Sequence, residues 1–102
     1  MGLNSEYVEK GVEQMKLTIG QKVKKIPIKT KEKGTDRVVK IGTVAFITKH
    51  CLTIEYEDKT KESFNIADII SPQTFVLKVR KGKEWERIVA PKGTMTMEFL
   101  KG

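Results

Sequence analysis

Cysteine, histidine and tryptophan each occur once in these 102 residues, and proline only three times. A single cysteine excludes an intramolecular disulfide framework, and a reducing, cytoplasmic setting is expected. A four-ligand zinc site is excluded too, because His50 and Cys51 are the only soft ligands in the chain. They are neighbours, so in a strand or hairpin turn they point to opposite faces and make a poor catalytic pair. They read as a turn histidine and a small packed cysteine. Neither G-x-x-x-x-G-K-[ST] nor G-x-G-x-x-G occurs, which removes the standard phosphate cradles. No apolar run approaches the ~20 residues of a membrane helix, and no apolar stretch near the start suggests a secretory signal. With no credible nucleophile–base pair, the chain reads as a binding protein rather than an enzyme, with no cofactor or metal expected.

Positive charge, by contrast, is abundant. Twenty Lys and Arg stand against thirteen Asp and Glu, for a net charge of +7. Residues 21–49 carry +7 and residues 71–102 carry +4, while 1–20 and 50–70 carry −1 and −3. The excess thus lies in two segments flanking an acidic hairpin. Brought together, the two segments would attract phosphates over about a Debye length. The competing reading is a solvated, lysine-rich surface that keeps the protein soluble. The apolar share, 38%, is modest but patterned, which argues for a folded chain of one domain.

Val8, Val12 and Met15 are spaced at i, i+4 and i+7, with Tyr7 beside them, which predicts a short amphipathic helix capped by Asn4 or Ser5. Residues 1–16 read as a helical appendage to a single domain spanning 17–102. From Leu17 the period falls to two. Val23, Ile26 and Ile28 predict a first strand, in which Pro27 suggests an edge or a bulge. Residues 29–37 have no apolar residue and read as an exposed basic loop. VVKIGTVAFITKH, residues 38–50, predicts a long, central, bent strand in which Gly42 is a bend or a close-approach point. Leu52, Ile54 and Tyr56 then alternate with polar residues, Asp58-Lys59 turns the chain, and Phe64 and Ile66 return inward. Glu55, Glu57, Asp58 and Glu62 around this turn lack the spacing of a calcium loop and read as a solvated hairpin. Ala67–Ile70 suggests one helical turn stopped by Pro72. Phe75, Leu77 and Val79 begin another strand, Lys81-Gly82-Lys83 reverses it, and EWERIVA returns. After a turn at Pro91-Lys92-Gly93, TMTMEFL alternates Met95, Met97 and Phe99 and predicts a C-terminal hairpin extension. The reading is mainly β, a small antiparallel barrel of five or six strands.

The succession of Ile41-Gly42-Thr43-Val44, Leu52-Thr53-Ile54-Glu55-Tyr56 and Glu62-Ser63-Phe64-Asn65-Ile66-Ala67-Asp68-Ile69 resembles the central meander of SH3-like small barrels of the Tudor and KOW sort. It is similar to small SH3-like proteins of Gram-positive bacteria and their mobile elements. The resemblance covers about a third of the chain. It implies a module that binds nucleic acid, peptides or partner proteins through its surface and loops. No compact aromatic cage is visible, since Tyr56 and Phe64 lie in the inward register, so binding of methylated residues is not expected.

Two basic clusters are the candidate contacts for DNA or RNA. Lys22, Lys24, Lys25, Lys29, Lys31, Lys33 and Arg37 put seven cations in sixteen residues. Arg80, Lys81, Lys83 and Arg87, with Lys78 alongside, surround Trp85. Cations gain from counterion release at phosphates, and an aromatic ring can stack on an unpaired base. Core or barrel-end packing is the alternative role for Trp85. Lysine outnumbers arginine, which favours contact with the backbone over reading of bases. The rival function is a protein-interaction or assembly module of a phage or mobile element, acting through the strand TMTMEFL or the N-terminal helix.

Overall fold

The computed structural model describes residues 15–28 and 38–101. Six strands form one antiparallel sheet: β1 (Lys22–Pro27), β2 (Lys40–Ile47), β3 (Leu52–Tyr56), β4 (Lys61–Phe64), β5 (Phe75–Lys81) and β6 (Glu84–Arg87). Their order is β4-β3-β2-β1-β5-β6, and no backbone ladder joins β4 to β6, so the sheet is open. A five-residue helix, α1 (Ile66–Ile70), separates β4 from β5, and a 3₁₀ turn, η1 (Met97–Leu100), ends the described chain. The expected N-terminal helix and the basic loop of residues 29–37 lie outside the described residues. No helix among the described residues is long and apolar enough to cross a membrane.

Alternation decides which side of each strand is covered. Val23, Val44, Leu52, Ile54, Phe64, Leu77 and Val79 are buried in one cluster with Leu17, Ile69, Ile88, Met97 and Leu100. In β2 the alternation breaks: Val44 pairs with Ile54, but Phe46 pairs with Thr53, so Ala45 is an extra residue in a bulge. The bulge turns Phe46 outward and Ile47 inward. Of the two roles expected for Gly42, close approach is the one its surroundings show. A Cβ there would sit 2.6 Å from both the Glu55 carbonyl oxygen and Ile54 Cγ2. The glycine is a point of close approach between β2 and β3.

The sheet is strongly curled. Phe64 on β4 and Phe75 on β5 are four positions apart in the strand order, yet their rings meet edge to face at 5.2 Å between centroids. Adjacent strands lie about 4.8 Å apart, so a flat sheet would hold these two roughly 19 Å from each other. The core fills the concave side that this curl creates.

The turns follow local chemistry. Between β3 and β4 the Lys59 N–H donates to the Tyr56 carbonyl at 3.0 Å, with Lys59 at φ 72. Asp58 accepts from both the hydroxyl and the backbone N–H of Thr60, and these bonds hold its carboxyl below the ordinary value. The helix α1 starts with a capping box, in which Asn65 accepts from the Asp68 N–H and Asp68 accepts from the Asn65 N–H. It ends at Ser71, one residue before Pro72.

Two expectations need correction. β1 is not an edge strand, because it lies between β2 and β5. Pro27 is tolerated because β2 pairs only with Lys22–Lys25, so the proline pairs with Phe75 alone. The C-terminal hairpin is absent. Residues 97–100 form η1, in which Met97 and Leu100 are fully buried, while Met95 is 77% exposed. Apolar residues three apart suit a 3₁₀ turn, where i and i+3 share a face. Backbone bonds fix it: the Met97 N–H donates to the Lys49 carbonyl and the Leu17 N–H to the Leu100 carbonyl, both at 2.8 Å.

Candidate nucleic-acid interface

The convex side of β1, β5 and β6 gathers cations from both basic clusters. Val23 and Val79 pair inward, so the residues on either side of each point outward. Lys24 pairs with Lys78, and Lys78 pairs in turn with Arg87, giving one row of three cations across three strands. Arg80 pairs with Trp85 on the same face. Lys22 sits on this face too, exposed at the start of β1. None of Lys22, Lys24, Lys78, Arg80 and Arg87 has a carboxylate partner among the described residues, whose ion pairs all lie elsewhere.

Trp85 is half-buried on the edge strand β6 and is not part of the core cluster. Its place in β6 opposite Arg80 directs it away from the core. The Lys24 ammonium lies 4.3 Å from the ring centroid and the Arg80 guanidinium carbon 5.6 Å from it. Arg80 is steadied by its Nε–H, which donates to the Gly82 carbonyl at 3.0 Å, while its own carbonyl accepts from the Gln21 amide at 2.9 Å. Gly82, at φ 61, makes the tight β5–β6 turn that sets Arg80 and Trp85 side by side.

The other candidates fall elsewhere. Lys25 and Lys81 point to the concave side, where they pair with Glu62 at 3.0 Å and Glu86 at 3.7 Å. Lys83 is exposed in the β5–β6 turn. Lys29, Lys31, Lys33 and Arg37 lie outside the described residues. Lys78, the link between Lys24 and Arg87, was legible as the outward neighbour of Leu77 and Val79.

The concave side carries its own polar group. Glu62 accepts from both Lys25, at 3.0 and 3.1 Å, and the Tyr56 hydroxyl, at 2.6 Å. Burial pushes the Glu62 carboxyl up, but the hydrogen bonds from Tyr56 and Lys25 and the charges of Lys25 and Lys40 outweigh it and hold the carboxyl below its ordinary value. Burial, the bond to Glu62 and the charge on Glu62 together push the Tyr56 phenol far above its ordinary value. This group joins distant strands and shows no free acid or base, so the exposed cationic face remains the candidate site. No family model matches the chain, and neither does any curated protein or solved structure.

Proposed function

We propose that this protein is a non-enzymatic module whose convex face binds the phosphate backbone of nucleic acid, weakly and without strong sequence preference. The row Lys24–Lys78–Arg87 carries the reading. Like charges directly opposite one another on a sheet are destabilising. Three in a row, with no carboxylate paired to them among the described residues, is a cost that a surface serving only solubility has no reason to bear. A polyanion offsets that repulsion and releases counterions. We read the curled sheet as an SH3-like barrel, supported by the β2–β3–β4 meander on the residues that carry the resemblance and by the Phe64–Phe75 contact across its concave side.

The rival reading, docking of a partner protein, has less to draw on. The TMTMEFL segment is not a strand, and each free sheet edge is a four-residue strand rich in charge, KESF and EWER. Short, charged edges resist strand addition. The test is a fluorescence-anisotropy titration with short DNA and RNA at about 50 and 200 mM salt, the range over which phosphate contacts weaken steeply. Micromolar binding that collapses at the higher salt is the expected result. Flat traces for every nucleic acid would overturn it.

A further inference from the structure

Resting on the nucleic-acid reading above, we infer that the site takes single-stranded nucleic acid, with one unpaired base stacked on Trp85. The chain holds one tryptophan, and the fold directs it outward at the edge of the cationic face, beside Lys24 and Arg80, rather than into the core. An indole in that position offers a π-face to any base, and such stacking tolerates any sequence. A duplex hides its base faces. Its major groove, about 12 Å wide, admits a helix or a two-stranded ribbon. The cationic face here is the surface of three strands within a wider sheet, with no projecting helix among the described residues. A duplex therefore meets only the cations, whereas a single strand meets the cations and the ring.

Lys24 has a second part in this. Its ammonium already occupies the indole, 4.3 Å from the centroid, as a stand-in for the stacked base. An incoming base displaces it, and the same ammonium then turns to a phosphate of the bound strand. Lys24 and Trp85 are both partly exposed, so the base gives the ring a stacking partner in place of a cation–π contact of middling strength. Arg80, on the same ring at 5.6 Å, flanks the base from the β5 side.

The test titrates the full chain with oligo-dT, oligo-U and a DNA hairpin duplex carrying the same number of phosphates, at one salt concentration near 50 mM. Stacking one base predicts single strands tighter than the duplex by about 5- to 150-fold. Because Trp85 is the only tryptophan, its emission must change with the same midpoint as binding. Trp85→Ala is expected to bring single strands down to the duplex level and leave the duplex unchanged, with Trp85→Phe retaining most of the preference. The affinity ratio and the emission change need no variant, so they decide the matter even if Trp85→Ala folds poorly. Equal affinity for single strand and duplex, or binding with unchanged emission, overturns the stacking inference and leaves backbone binding standing. No binding to any of the three probes overturns both.

Discussion

Lys25 on β1 and Glu62 on β4 form an ion pair at 3.0 Å across the concave side, although β2 and β3 run between their strands. In a flat sheet three inter-strand steps would separate them by roughly 14 Å. The pair is thus a fastener across the curl, and the Tyr56 hydroxyl completes it from β3. The Lys25 ammonium also lies 4.7 Å from the Phe75 ring centroid, which ties β5 to the same point.

Glu62→Gln keeps the shape and an acceptor for Tyr56 but removes the charge. With both partners partly exposed, the expected loss is about 1 kcal/mol, read from urea unfolding at pH 7. Lys25→Met in the Glu62→Gln background should add only the loss of the Lys25–Phe75 contact, since the ion pair is already gone.

The same pair sets a pH dependence. Glu62 has a lowered folded-state value, so its contribution is present above its ordinary value of 4.5 and is lost as pH falls through the lower folded value. The stability difference between the parent and Glu62→Gln should be constant near neutrality and shrink in that acidic window. A difference that grows on acidification would contradict the assignment.

Gly42→Ala tests the close approach of β2 to β3. The added Cβ meets the Glu55 carbonyl, which as backbone has little room to move, at 2.6 Å. A loss of about 1–3 kcal/mol is expected, as for other overpacked sites, measured by thermal melting. An unchanged melting curve would mean that the strands can part without cost.

Met97 and Met95 separate the 3₁₀ turn from the alternating strand. Met97 is fully buried and Met95 is 77% exposed. Met97→Ala should cost about 2–5 kcal/mol and Met95→Ala almost nothing. Similar losses at both positions would restore the strand.

On the convex face, Lys24→Gln removes one phosphate contact and uncovers the indole. The slope of log affinity against log salt should fall by about 0.7 for a single strand. Lys81→Gln, on the concave side beside Glu86, should leave that slope unchanged.

The inward register of β3, β4 and β5 could be read directly, because Leu52, Ile54, Phe64, Leu77 and Val79 alternate with polar residues and all are buried. The same alternation sorts Lys22, Lys24, Lys78 and Arg80 to the outside. It also assigns Lys25 to the apolar side, opposite Leu77, yet simple charge counting grouped it with its neighbours. Its meeting with Glu62 was not legible, since it depends on how far the two intervening strands curl. The C-terminal segment was ambiguous for another reason. Met97, Phe99 and Leu100 satisfy both a two-residue and a three-residue period, and the bonds that decide between them come from Lys49 and Leu17.

Leu17 hydrogen-bonds to Leu100 and pairs in parallel with Lys101. The domain is closed by its own two ends, which has a consequence during synthesis. At about 5–20 residues per second, roughly 4–17 s pass between the making of Leu17 and that of Leu100. Through that interval the hairpins of β2, β3 and β4 can assemble, while Leu17 waits for its backbone partner and β1 for β5. Completion of the domain thus waits for Leu100, and the two points where the chain enters and leaves it are neighbours in space.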